Sequence, residues 1–224
     1  MVWAHEGRNK ETLEMFFAKL GPDRAALLTH VSADGAEWIH TVVADKAPNA
    51  VLCLDPFHVV QWAMKALDKV RTRTISAGGG SRDRNLMWAV RKNPADLNTD
   101  QRTTLAGLEK ANEELYRAYL LKEQLREVFH VKGVRGRELL TGWIGWARDC
   151  GIAEFEKLGR TIERYRPSIR NTLDHNVTNA RSEATNTHIR ALTKRAYGYH
   201  SPEALISMAM LTRGGLCPSL PGRN

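Results

Sequence analysis

The stretch ALLTHVSADGAEWIHTVVADKAPNAVLCLDPFH, Ala26 to His58, decides the fold class. Its opening run, Ala26 to Val31, is apolar, of strand length, and closed by Ser32-Ala33-Asp34-Gly35. Glu37 to Val43 (EWIHTVV) takes up helical spacing and ends near Pro48. Ala50 to Leu54 (AVLCL) is a second buried-strand segment, followed at once by Asp55-Pro56-Phe57-His58. Two apolar strands separated by a helix predict a βαβ unit in a parallel sheet, hence an α/β fold.

Working outward, Asn9 to Leu20 has helical spacing, with Leu13, Phe16, Phe17 and Leu20 on one face, and Gly21-Pro22 stops it. Beyond Val59 the helical pattern runs through Trp62 and Leu67 to Val70, until Gly78-Gly79-Gly80-Ser81 predicts a flexible loop. Asp100 to His130 reads as one strong helix, followed by helices through Leu139, Trp143 and Trp146 and through Phe155, Leu158 and Ile162. This all-helical block of about a hundred residues is far longer than an ordinary connection. After Arg166-Pro167 come a polar stretch, Asn171 to Thr178, and a helix from Asn179 into Arg195. Ser201-Pro202-Glu203 has the form of a helix N-cap with Pro at the first helical position, and that helix runs to Thr212.

Composition narrows the function. The 224 residues carry 33 Lys and Arg against 25 Asp and Glu, a net charge of +8. The corresponding pI is about 9.6. With 42% hydrophobic residues the chain is an ordinary globular one, so wholesale disorder is excluded. No run approaches the roughly 20 apolar residues that cross a bilayer. Met1 to Lys10 lacks the apolar core of a secretory signal. Cys53, Cys150 and Cys217 are odd in number and far apart, which suits a reducing cytosol rather than a disulfide framework or a zinc knuckle. The basic excess is the electrostatic footprint of a nucleic-acid binder, although a solvated helix face gives the same signal. Between Gly159 and Arg195 stand Arg160, Arg164, Arg166, Arg170, Arg181, Arg190, Lys194 and Arg195, opposed only by Glu163, Asp174 and Glu183. Arg dominates this set, and its planar fork suits bidentate phosphate contacts.

Three places could carry chemistry. Asp34 and Asp55 each follow a buried strand, where ligand sites of open parallel sheets cluster. Capping of the next helix is a serious rival reading for both, and spacing alone favours it for Asp34. Asp55-Pro56-Phe57-His58 sets an acid and an imidazole three apart on a strand-to-helix turn, close enough to share a site. The competing reading there is a cap, with Phe57 in the core. Third, Asn179, Glu183, Asn186 and Arg190 fall on one helical stripe. Such a polar face is either solvated or lines a site for a metal and a phosphate. Carboxylates from separate elements are what Mg²⁺ needs, and paired ions can serve an in-line phosphoryl displacement.

Four strings, VSADGAEW, APNAVLCLDPFHVVQWA, RSEATNTHIRALTKRAYGYHS and LTRGGLCPSLPGR, together resemble the catalytic part of bacterial insertion-sequence transposases of the ISL-three family. The similarity runs from Trp3 to Arg223. It implies a DDE-class enzyme with an RNase H-like fold, here a partial one interrupted by a large all-helical insertion. The implied division is 1–59 for the first part of the catalytic core, 60–170 for the insertion and 171–224 for the closing helices. The implied chemistry is strand cleavage and transfer at insertion-sequence ends, with Mg²⁺ or Mn²⁺ held by an Asp, Asp, Glu triad. By position, Asp34 resembles the second Asp, with Asp55 as its alternative, and Glu183 resembles the Glu. Asp55 and His58 resemble an Asp-x-x-His signature. Arg181, Arg190, Lys194 and Arg195 would contact DNA phosphates. The resemblance also implies transposon-end and target DNA as partners, a homo-oligomer at full length, and a cytoplasmic, nucleoid-associated place of action without a membrane.

One departure is large. The family's first catalytic Asp lies on a strand ahead of the segment that Val2 to Arg8 resembles, and Glu6 and Asp23 are poor substitutes for it. The expectation is therefore a truncated transposase with little strand transfer of its own, a strand around Val2-Trp3-Ala4, and an unpaired apolar sheet edge. Two other readings stand beside the enzyme: a non-catalytic DNA-binding or dimerising remnant, and a basic helical interaction protein with no nucleic-acid role.

Overall fold

A computed structural model describes residues 1–77, 83–177 and 179–215. The loop expected at Gly78 to Ser81 lies outside the described residues, as do Cys217 and the rest of the C-terminal string from Leu216. The chain divides into two compact units, Met1–Leu52 together with the described residues after Thr178, and Cys53–Val177.

The N-terminal elements of the first unit are local consequences of their capping residues. Helix α1, Lys10–Leu20, begins at Asn9, whose side-chain oxygen accepts from the Thr12 amide at 2.9 Å. It ends at Gly21, whose φ of 83° lies in the left-handed region that glycine enters without steric cost. Pro22 at the first helical position then starts the short α2, Pro22–Ala26. Strand β1 is His30–Ala33, α3 is Glu37–Lys46 and β2 is Val51–Leu54. The two strands pair in a two-stranded parallel sheet, the only sheet among the described residues. The βαβ reading and the α/β class hold, with helix greatly outweighing strand. Phe17, Ala25, Val42, Val43 and Ala47 are buried together, with Leu13, Phe16, Ile39 and Leu52 packed against them.

The first strand starts later than its apolar run. The Leu27 and Leu28 amides bond to the Arg24 and Ala25 carbonyls, so Ala26 to Leu28 close a helical turn and β1 begins only at His30. No strand forms around Val2-Trp3-Ala4: Met1 to Arg8 has no regular structure, and Trp3 packs on Phe16 at 5.5 Å between ring centroids. A strand needs a hydrogen-bonding neighbour, and among the described residues these three have none. Two strands do not define the RNase H-like sheet that the resemblance implies.

The second unit is helical: α4 (Pro56–Ala77), α5 (Arg84–Arg91), a 3-10 turn at Pro94–Asp96, α6 (Thr99–Ala111), α7 (Glu113–Val131), α8 (Gly133–Arg148), α9 (Ala153–Arg164) and α10 (Arg166–His175). Leu67, Leu115, Leu121, Leu125, Leu140, Trp143, Phe155, Ile162 and Ile169 form its core. The single helix expected from Asp100 to His130 is two. Asn112 leaves helical geometry at φ −157° and ψ 83°, and its side chain caps α7 by accepting from the Leu115 amide. The expected polar stretch after Arg170 is helical to His175, because Ile169, Thr172 and Leu173 present a buried face.

Lys122 shows how this core tolerates a charge. It is fully buried, and its Nζ donates to the Val90 carbonyl at 2.9 Å, lies 4.8 Å from the Tyr119 ring centroid and pairs with Glu123. The residue four after Val90 is Pro94, which has no N–H, so the chain itself cannot continue the α5 hydrogen-bond ladder there. The ammonium supplies that donor. Burial nonetheless pushes the Lys122 pKa below the ordinary lysine value, against the opposing pull of Glu123.

Two helices close the chain, α11 at Ala180–Arg195 and α12 at Pro202–Arg213, and they pack against each other within the first unit. Ser201 caps α12 with Pro202 at its first position, as the sequence predicts. None of the described helices is long and apolar enough to cross a membrane.

Candidate functional site

Asp34 stands immediately after β1, and it does not cap α3. The N-cap residue is Ala36, which has no side-chain cap bond. The Asp34 carboxylate instead accepts from the Arg8 guanidinium at 2.7 Å, with 27% of the Asp side chain exposed. His40, one turn into α3, reaches back over its own helix start and places Nε2 3.2 Å from the Asp34 carbonyl. Partial burial holds the His40 pKa below the ordinary histidine value, although the Asp34 carbonyl and the charges of Asp34 and Glu37 pull the other way. Arg8 and His40 are the neighbours that sequence reasoning missed. The helical reach of His40 was available as a signal, whereas nothing local links Arg8 to a residue 26 positions away.

Asp55 makes the local contacts of a helix start and also meets the imidazole of His58. Its carboxylate accepts from the Phe57 amide at 3.4 Å, and its carbonyl accepts from the His58 and Val59 amides, so it starts α4. The same carboxylate lies 3.3 Å from His58 Nδ1, so the acid and imidazole do meet. Asp55 is buried, while His58 keeps 28% of its side chain exposed. Phe57 is not core, as the cap reading would have it, but 56% exposed. Behind this turn the Thr172 hydroxyl donates to the Leu54 carbonyl at 2.7 Å, tying the end of β2 to α10. Burial raises the Cys53 thiol pKa, with a hydrogen bond to Thr172 opposing it.

Glu183 lies in the first turn of α11, where a carboxylate is favoured by the helix dipole. The helix has no buried residue, and Glu183, Arg181, Arg190, Lys194 and Arg195 are all exposed. The four cations share one solvent-facing helix, with Lys194 and Arg195 in its last turn, where positive charge complements the dipole.

Asp34 and Glu183 belong to the first unit and Asp55 to the second. Among the described residues, no group of three or more His, Cys, Asp or Glu side chains could hold a metal ion. The positions outside the described residues contain no Asp, Glu or His in sequence, so they add no carboxylate. Asp34 already has a cation, Arg8, on its carboxylate. Cys53 and Cys150 are buried and in no disulfide among the described residues, each pushed above the usual cysteine pKa chiefly by burial.

The ISL3-type DDE transposase family model, described as "Transposase", matches residues 1–209. The transposase for insertion sequence element IS1557 of Mycobacterium tuberculosis, in strains CDC 1551 / Oshkosh and ATCC 25618 / H37Rv, is 45% identical over 250 aligned residues, which cover 100% of this chain and 56% of that protein. The transposase for insertion sequence element IS1001 of Bordetella parapertussis is 26% identical over 210 residues, covering 91% of this chain and 52% of that protein. The chain thus spans about half the length of the curated relatives it matches. No solved structure matches it. Matched over nearly all its length, the chain belongs to the ISL3 family of transposases.

Proposed function

We propose that this chain is the part of an insertion-sequence transposase that grips DNA through its backbone, and that it does not cut DNA unaided. The observation that carries the first half is α11, which sets Arg181, Arg190, Lys194 and Arg195 on one exposed helix of a transposase-family chain. Cations on a solvated helix bind phosphates independently of sequence and release counterions as they do so. The second half rests on the carboxylates. Asp34 and Glu183 take two of the acidic positions of a DDE-type site, with Asp55 and His58 as a supporting pair, and the described residues bring no third ligand to them. Divalent-metal chemistry, with Mg²⁺ or Mn²⁺ as the ion, belongs to the same reading, with Asp34 and Glu183 as the carboxylates that would take part. Oligomer formation and action at transposon ends belong to the same proposal.

The test is fluorescence anisotropy of the 224-residue chain with labelled duplex DNA across a salt series. Affinity is expected to fall steeply with salt. The variant R181Q/R190Q/K194Q/R195Q should flatten the log–log slope by about 0.9 for each phosphate that it leaves unneutralised. Binding that does not weaken as salt rises overturns the reading and favours a helical interaction protein without a nucleic-acid role.

A further inference from the structure

The helical unit carries a second basic surface that no contiguous piece of sequence reveals. Two grooves, of about 290 and about 400 Å³, adjoin each other and share Lys65 and Lys69 as walls. These lysines stand one helical turn apart on α4. The smaller groove adds Lys157 of α9 and has Trp62 in its wall, and the larger adds Arg91, the last residue of α5. All four cations are exposed. Among the described residues, none of the four is in an ion pair. The acids nearest them are engaged elsewhere: Asp68 is held by Arg71 at 2.8 Å, and Glu154 by Arg73 at 3.1 Å. The hydrogen bond from Arg73 holds the Glu154 carboxyl below its ordinary pKa, and the charge of Lys69 acts in the same direction. Arg73 is shared between Glu154 and Glu114, so one negative charge of that trio is left over, yet Lys65, Lys69, Arg91 and Lys157 outnumber it and three helices project a net positive face. Trp62 lies half-buried against Tyr165, 5.6 Å between centroids, which fixes the wall of the groove.

We infer that Lys65, Lys69, Arg91 and Lys157 form a sequence-independent binding surface for the phosphate backbone of DNA, separate in sequence from the α11 cations. The inference rests on the DNA-binding reading above and names the surface of the helical unit that takes part. Lysine heads on flexible stems, with one arginine, suit point contacts to successive phosphates rather than base readout. The smaller groove, with Trp62, Ala66 and Leu158 in its walls, gives those stems apolar surface to lie along while the charged heads remain in solvent.

The experiment compares wild type, K65Q/K69Q/R91Q/K157Q and the α11 variant in the full chain, by anisotropy with random-sequence duplex DNA. Each glutamine keeps the helix and removes one charge, so the surface variant is expected to bind at least tenfold more weakly at low salt. Its log–log salt slope should be shallower by about one per residue removed, whatever the DNA sequence. Circular dichroism and the urea midpoint should match wild type. Should the fourfold variant lose stability, K65Q/K69Q alone is used, with about half the change in slope expected. A surface variant with wild-type slope, beside an α11 variant that loses affinity, overturns this inference and leaves DNA binding standing. A wild-type chain with no salt-dependent binding overturns both.

Discussion

His40 shows how a single side chain links the fold to the candidate site. It reaches from the second turn of α3 back to the Asp34 carbonyl and is partly buried in doing so. Desolvation leaves its pKa below the ordinary histidine value of about 6.5. The unfolded chain therefore takes up this proton first as pH falls. Stability contributed at this position is present above about 6.5 and is lost as pH drops from there through the depressed folded value. Gln keeps an amide donor toward Asp34 and cannot titrate. Urea midpoints measured from pH 7.5 down to 5 should therefore fall less steeply for His40→Gln than for wild type. Equal slopes would show that His40 does not experience the burial seen here. The Arg8–Asp34 pair, with 78% of the Arg side chain exposed, contributes little to stability and matters only for where it holds the carboxylate.

At the scale of elements, helices were legible wherever a stop or cap signal coincided with a clean apolar stripe. Gly21-Pro22 ended α1, and Ser201-Pro202 began α12, because both act through backbone geometry alone. Reading failed where tertiary contacts or one cap decided. Leu27 and Leu28 are as apolar as a strand, yet Pro22 had already committed the chain to a helical turn. The polar surface of α10 hid its helix, since only Ile169, Thr172 and Leu173 face inward. The candidate site divides in the same way. The Asp55–His58 contact is local and followed from spacing of three, whereas Arg8 and the Lys65, Lys69, Arg91, Lys157 surface depend on segments far apart in sequence. Helix packing also fixes residues that propensity would change. A Cβ at Gly136 in α8 would meet the Val128 carbonyl of α7 at 3.0 Å and Leu173 Cδ2 at 3.3 Å. On an exposed helix Gly→Ala would stabilise by up to about 1 kcal/mol. Gly136→Ala is instead expected to destabilise by roughly 1–3 kcal/mol through overpacking, read as a lower urea midpoint at unchanged m-value. A higher midpoint would mean that α7 and α8 are more loosely packed than described.

For the molecule as a whole, charge and carboxylates point in different directions. The net charge of +8 includes two exposed basic surfaces, α11 and the α4–α5–α9 face, each suited to tracking phosphates. The acids that the family resemblance marks for metal binding are divided between the two compact units, Asp34 and Glu183 in one and Asp55 in the other. This chain, which spans 56% of its M. tuberculosis relative, carries both basic surfaces. The most direct measurement incubates the purified 224-residue chain with insertion-sequence-end duplex and Mg²⁺ or Mn²⁺, and resolves the products on a denaturing gel. DNA should be retained by the protein but left uncut in either metal; metal-dependent cleavage abolished by Asp34→Ala or Glu183→Ala would overturn the proposal that the chain does not cut DNA unaided.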